Sequence, residues 1–465
     1  MTAAAPSTAQ RRPIRDHCLA PGRAVDAPSA GARYGRLFPG LAPLAVDPDR
    51  LYAAGTPGGV CDASHFPTRG MLSGHAADDG REAAGWPFFG QFVAHDITAD
   101  RSPVGVHADV VALRNARSLR LNLEMVHAEG PVGSPYLYDA QDPARLLTGP
   151  DGMDPPRNWQ GTALIGDPRN DVHRFVAHLH LAFLHAHNRL VDRLREDGVP
   201  EDDLFGAARR SLTWYYQWIV VHDFLPRLVG ADLVTAVLND GPRYFAPAVG
   251  EAYIPLEFAD AAYRYGHGQI RHRYRMRPGG REYPLFPDLF GHGPIPAEQH
   301  LDWPQVFDMP GQPAAQRAKR LDGGLPASLI ALPREITGDV PVDAYRSLAV
   351  RDLLRGQATA LPSGEAVAEL LGERALSVAE TGPEWAGATP LWLYVLKEAQ
   401  HRGDGDRLGP VGGRIVAEVL IGLLRADADA YLTVDPGWRP TLPGTGDSFA
   451  LADLLVLARP QSPGA

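Results

Sequence analysis

The sequence predicts a mainly α-helical fold with long ordered loops and little β structure. Three observations predict it. Apolar residues recur at helical spacing in several long segments, most clearly over 175–196. Period-2 runs of β-branched residues are scarce. Gly (49) and Pro (43) together make about a fifth of the 465 residues, which implies many turns between helices.

Taken in order, residues 1–54 are rich in Ala, Pro, Gly and Arg and read as an N-terminal extension with little core of its own, able to wrap the body. The body spans 55–458 and a short tail follows over 459–465. The first convincing helix covers about 85–98, opening at Trp86 and Phe88. Residues 134–170 are turn-rich. A long helix over 175–196 places Val176, Leu179, Phe183, Leu190, Val191 and Leu194 near one stripe. A second, from about 203 to 229, carries Trp214, Tyr215, Trp218, Val221 and Leu225. Residues 257–270 read as another helix, 271–325 as loops, and helical patterns return at 343–356, 364–372, 390–400 and 410–426.

Hydrophobic content of 45% and charged content of 22% suit a soluble globular enzyme. A net charge of -10 argues against nucleic acid as the main partner, because phosphate binding needs a basic surface. Cys18 and Cys61 form no CxxC, so neither a disulfide framework nor a thiolate metal site is expected. The N-terminal residues show no apolar signal region, and no run of about eighteen apolar residues exists. No membrane span is therefore expected, and the expected compartment is the cytoplasm.

Four segments carry residues with chemistry. In Gly90–Thr98, Gln91 and His95 lie four apart and share a helix face, while Asp96 points about 100° away. Alone, such a stretch more often encodes a core histidine beside a buried acid. Arg169, in the turn Gly166–Asn170, can project a planar cation into a cavity or simply make a surface ion pair. His178, His180, His185 and His187 follow on the long helix, but no face presents three of them with a carboxylate, so packing is the better reading. In Tyr263–His267, Gly266 removes a side chain beside His267 and permits close approach of a large flat group. That suits axial ligation of a haem, with Arg264 reaching a propionate. His272 is a rival with solvated arginine flanks. Asp352 and Arg355, three apart, share a helix face. An acid beside an axial histidine would accept its Nδ1–H; the alternative is a surface salt bridge of little value.

In order and spacing these segments, GQFVAHDIT, GDPRN with HLAFLHAHNRLVDRL, AYRYGHGQI and AVRDLLRGQATALPSG, resemble the animal-type haem peroxidases of the peroxidase–cyclooxygenase superfamily, and look closest to its bacterial members. The resemblance covers roughly 55–458. It implies an all-α haem peroxidase domain in which His95 is the distal histidine, Gln91 its amide companion and Arg169 the distal arginine. His267 is then the proximal ligand to haem iron, Asp352 stands where its partner is usually Asn, and Arg264 and Arg355 lie near the propionates. The family also binds calcium beside the distal helix. Asp96 matches its first ligand, and Ser118, Arg120 (through its carbonyl), Asn122 and Glu124 match the partner loop, although Asn122 and Glu124 depart from the commoner pattern. Oxygen ligands of this kind suit Ca²⁺.

Further departures concern the haem. Where mammalian members carry the acids and methionine that bind haem covalently, this chain has Ala94, Val172 and His173, which implies non-covalent haem b. Where cyclooxygenases carry a radical tyrosine, it has Arg264. Tyr263 and Tyr265 flank that position and would face elsewhere on an α-helix. The function implied is reduction of H₂O₂ with one-electron oxidation of a small organic donor, an aromatic one by expectation. The alternatives are O₂-dependent oxidation of a lipid or secondary metabolite, which Arg264 disfavours, and a non-catalytic haem-binding relic, which would not need Gln91, His95 and Arg169 together.

Overall fold

A computed structural model describes residues 34–63, 79–99, 115–444 and 449–459. Helices dominate them. Their strands are two to five residues long and form three two-stranded sheets: β1 (Tyr34–Gly35) with β3 (Ile254–Pro255), β2 (Asp79–Ala83) with β6 (Arg317–Lys319), and β4 (Arg273–Arg275) with β5 (Glu282–Pro284).

Seven helices frame the site. They are α1 (Pro48–Gly55), α2 (Trp86–Ile97), α3 (Arg174–Glu196), α4 (Glu201–Ile219), α5 (Leu348–Ala358), α6 (Leu391–Arg402) and α7 (Pro410–Arg425). In α2, Pro87 occupies the first turn, where its missing N–H costs nothing. The helix is buried almost all round, and Phe92 stacks on Phe183 of α3 with ring centroids 4.7 Å apart. A side chain at Gly90 would meet the Tyr265 hydroxyl at 3.1 Å, so glycine lets the 262–269 segment approach α2 closely. Helix α4 does not end at Ile219. It continues through a π-helical stretch, Val220–Phe224, into Leu225–Val229, as one long segment.

Two stretches depart from the sequence reading. Residues 257–270 are not one α-helix: a short turn, Leu256–Ala259, gives way to a 3₁₀ helix, Ala262–Gln269. Gly266 and Gly268 weaken the α form there, and a side chain at Gly268 would press on Leu321 Cδ2 at 3.0 Å. Helix α5 begins later than its apolar pattern, at Leu348, because the Ser347 side chain caps it by accepting Val350 N–H; a 3₁₀ turn, Asp343–Arg346, precedes it.

Residues 34–54, read from composition as coreless, contribute Tyr34, Leu37, Phe38 and Leu51 to the hydrophobic core. They cross the body as a strap. Leu37 and Phe38 N–H groups donate to the buried Glu257 carboxylate, Arg36 donates to the Thr359 and Ala360 carbonyls, and Leu44 N–H donates to the Leu361 carbonyl at 2.8 Å. Helix α1 then packs on α5 so tightly that a side chain at Gly55 would meet Val350 N at 2.7 Å. Cys61 is buried, and burial pushes its thiol up to about 12; Cys18 lies outside the described residues. Among the described residues no helix is long and apolar enough to cross a membrane.

Candidate functional site

A cavity of about 280 Å³ lies between α2 and the Ala262–Gln269 segment. Typical small-ligand pockets hold roughly 300–1,000 Å³, so the lining rather than the volume has to identify the occupant. Gln91, His95, Arg169 and His173 line one wall, Tyr263 through His267 the opposite wall, and Phe88, Phe258, Phe286, Phe290 and Leu329 supply apolar surface.

On the first wall the i, i+4 spacing of α2 brings Gln91 and His95 to the cavity together, while Asp96 turns into protein and is fully buried. His95 Nδ1 lies 2.7 Å from Asn170 Oδ1. Asn170 is fully buried, and its Nδ2 donates to His180 Nδ1 at 2.9 Å and to Met125 Sδ at 3.3 Å. With the amide so turned, His95 carries its proton on Nδ1 and its lone pair on Nε2. Burial lowers His180 to about 4, which keeps it a neutral acceptor. Gln91 Oε1 is 2.8 Å from His173 Nε2, which fixes a second imidazole in the same wall.

Arg169 is gripped from behind. Its Nε lies 3.1 Å from both Asp167 oxygens, and its Nη2 donates to Asp167 at 2.7 Å, to the His95 carbonyl at 3.0 Å and to the Thr98 carbonyl at 2.6 Å. Among the described residues Nη1 has no such partner, and Arg169 lines the cavity. Burial would raise the Asp167 carboxyl, but the cations of Arg169 and Arg117 outweigh it and hold it well below the usual range.

On the opposite wall, His267 Nδ1 lies 2.6 Å from the buried Asp352 carboxylate, whose other oxygen accepts from Arg264 Nη1 at 3.1 Å. This leaves His267 Nε2 as the nitrogen to meet a ligand. Asp352 therefore does contact His267, and it pairs with Arg264 rather than Arg351 or Arg355. Arg355 does not line the cavity; its Nε donates to buried Asp260 at 2.6 Å. Arg351 lines the cavity instead, with Nε on the Tyr345 carbonyl at 2.6 Å. Because the segment is 3₁₀ rather than α, Tyr263 and Tyr265 line the cavity too, correcting the expectation that they face elsewhere.

Gly266 tests whether the lining could admit a flat group. A Cβ added at Gly266 would meet no protein atom closer than 3.8 Å, so chain packing does not explain the glycine. Ala94 and Val172 also line the cavity and offer no ester-forming acid.

The calcium set expected of Asp96, Ser118, Arg120 (through its carbonyl), Asn122 and Glu124 fits the described side chains poorly. Asn122 Oδ1 accepts Glu124 N–H at 3.1 Å, and Asn122 Nδ2 donates to Ser118 Oγ at 3.2 Å. The two Glu124 oxygens are taken by Arg117 at 3.2 Å and Ser118 N–H at 2.9 Å. Arg120 reaches away to Asp427 and Asp429. Of the side-chain oxygens only Asp96 Oδ1 is left unbonded, whereas Ca²⁺ takes 6–8 oxygens. Among the described residues no group of three or more His, Cys, Asp or Glu could hold a metal ion. The histidines of α3 are likewise spent on separate partners: His178 on the Arg174 carbonyl and the Leu301 N–H, His180 on Asn170, His185 on the Gly152 carbonyl, and His187 on the Ala144 carbonyl and His127.

Asp96 has a consequence for stability. Burial raises its carboxyl to about 7, against the opposing Leu123 N–H and Arg117. An unfolded chain loses that proton near ~4. Between the two values the folded state holds more protons, so this group's contribution makes stability fall as pH rises from about 4 to 7. Asp96→Asn is expected to reduce the fall in Tm over that window, as followed by circular dichroism; a variant tracking the native curve would contradict the assignment.

Asn170 and Arg351 were not singled out from sequence as site residues. Asn170 was within reach, since it directly follows Arg169 in the same turn; Arg351 gave no local signal. The sequence marks His173 only as standing where a haem-linking methionine would be, and the structure places it in the cavity wall beside Gln91.

Comparison with known proteins gives the relatives of the chain. A family model described as animal haem peroxidase matches residues 107–301, a span holding Arg169 and His267 but not His95 or Asp352. "Heme peroxidase 2" of Caenorhabditis elegans is 22% identical over 58% of this chain and 40% of its own length. A "Peroxidase-like protein" of Margaritifera margaritifera is 33% identical over 22% of this chain and 14% of its own. The matched regions thus span less than half of these relatives. Among solved structures, peroxidase A of Dictyostelium discoideum superposes with a TM-score of 0.61 at 13% identity, covering 87% of this chain and 88% of that one. A fatty acid alpha-dioxygenase of Oryza sativa superposes with a TM-score of 0.56 at 14% identity, covering 76% and 70%.

Proposed function

Because the chain belongs to the animal haem peroxidase superfamily, we propose that it is an H₂O₂-dependent peroxidase that binds haem b non-covalently and oxidises a small organic donor. One observation carries the reading: His95 with its lone pair on Nε2 and Arg169 with an unpartnered Nη1 face His267 across a single cavity. Bound haem would supply the redox-active iron, held by His267 Nε2. His95 Nε2 takes a proton from the peroxide and returns it to the departing oxygen. Arg169 Nη1 stabilises the charge on that oxygen with a fixed donor in a water-poor pocket. Asp352 accepts the His267 Nδ1–H and makes the imidazole a stronger donor. Arg351 and Arg264 are the cations nearest to hand for the haem carboxylates.

The test is reconstitution with haem, addition of H₂O₂ while following the Soret band, then a screen of phenolic donors. A band indifferent to peroxide would overturn the reading. Acid–organic extraction is expected to remove all haem, since Ala94 and Val172 offer no ester link; haem retained on the polypeptide would contradict the non-covalent assignment. Asp352→Asn should raise the Fe(III)/Fe(II) potential, because a neutral amide gives His267 less imidazolate character. Spectroelectrochemistry reads this directly, and an unchanged potential would mean that the Arg264 pairing already cancels the carboxylate.

A second reading, O₂-dependent oxidation of a fatty acid, is favoured by Tyr263 and Tyr265 in the cavity wall. Against it, the buried Tyr263 hydroxyl has no hydrogen-bond partner among the described residues, and burial raises its pKa well above the usual value, so none of them is placed to take its proton on oxidation. Oxygen uptake with palmitate separates the two readings.

A further inference from the structure

Behind the distal wall runs a chain of four charged side chains. Glu124 accepts from Arg117 Nη1 at 3.2 Å, Arg117 Nη2 donates to Asp167, and Asp167 grips Arg169 at Nε and Nη2. Arg117 and Asp167 are both buried. Next to Arg117, Asn115 stitches the same strand of chain to the end of α2: its Nδ2 donates to the Ile97 carbonyl and its Oδ1 accepts Ala99 N–H, each at 2.7 Å. The Arg117 N–H shares that Oδ1 at 3.1 Å.

We infer that Arg117 fills the role a bound metal cation would have beside the distal helix: it positions Asp167, and through Asp167 it positions Arg169, without any metal. This rests on the peroxidase reading only for what Arg169 then does. Charge count decides what Arg117 supplies. Two guanidinium groups meet two carboxylates, so the chain is neutral and the buried Asp167 is shared between two cations. Without Arg117, Asp167 would face Arg169 alone and neutralise it fully, while Glu124 would lose its partner. With Arg117, part of the Asp167 charge is drawn away from the cavity, and Arg169 keeps more of its field on the Nη1 side. A planar fork with several donors can bridge two carboxylates at fixed angles, which an ammonium does less well. The loop is closed around that fork. Glu124 is held by Ser118 N–H as well as by Arg117, and Asn122 is spent on the loop itself, so a cation entering here would have to displace a guanidinium already bonded to two acids.

Arg117 is a positioning residue, and three measurements on the full chain test it. The native Tm, without haem, should be unmoved by a chelator or by added Ca²⁺; a fall with chelator that Ca²⁺ restores would place a metal here and overturn the inference. Arg117→Ala should lower Tm, and millimolar guanidinium should restore part of the loss where NaCl of equal strength does not; equal effects of the two salts would also overturn it. Arg117→Lys keeps the charge and loses the fork. In the haem-loaded variant the Kd for cyanide, an anion that Arg169 would stabilise, should rise about tenfold, whereas a native Kd would reduce Arg117 to a purely structural part. The first measurement needs no haem, so failure of the chain to bind haem would refute the functional reading and leave this test standing.

Discussion

His95→Ala is expected to keep haem and to lose reactivity toward peroxide by a factor on the order of 10²–10⁴. The haem seat is on the other wall, at His267, so truncation of His95 removes no ligand. It removes the one imidazole whose Nδ1 proton is held by a buried amide and whose Nε2 can therefore act as base. His173, the second imidazole on that wall, is engaged by Gln91 at 2.8 Å, and is not expected to replace it. Stopped-flow absorbance at the Soret band gives the rate, and the resting spectrum gives the haem content. A native-like rate in this variant would move the base elsewhere.

His267→Ala is expected to lose most bound haem while the polypeptide still folds. The Asp352 carboxylate that His267 leaves behind keeps its bond to Arg264, so no isolated buried charge is created. Haem per chain, measured after gel filtration, should drop to a small fraction of native. Added imidazole should recover part of the spectrum by entering the space of the missing ring. Full haem retention with an unchanged spectrum would assign the ligand to another residue.

Several helices were legible because their signal is local. The apolar stripe of α3 and the flanks of α2 survive in any environment, and on α2 a spacing of four is enough to send Gln91 and His95 to one cavity. What escaped reading depends on partners far away in the chain. That residues 34–47 could wrap the body was readable from composition; their partners, Glu257 and residues 357–361, more than two hundred positions on, were not. The 262–269 segment has helical apolar spacing, and only its tight fit against Leu321 and α2 selects the 3₁₀ form that turns two tyrosines into the cavity. Arg355 is the expected propionate partner by sequence, but Asp260 claims it, and Arg351 faces the cavity instead. The calcium expectation for the loop 118–124 comes from family resemblance alone, and no local pattern announces that Arg117 pairs with its single acid, Glu124.

The strap also sets an order of events. Helix α5, which carries Asp352, is fastened by residues 36–46 and by α1, roughly three hundred positions earlier in the chain. The opposite wall of the cavity is assembled from residues near 91–95 and 169–173. Closing loops of that length costs entropy before any contact repays it, and topologies rich in such contacts fold slowly. Local helices such as α3 and α4 can form early, but the cavity exists only after residues near 91–95 and 169–173 have met the 262–269 segment and α5. Under the proposed function, capture of a prosthetic group is expected late in maturation, after a period as apoprotein.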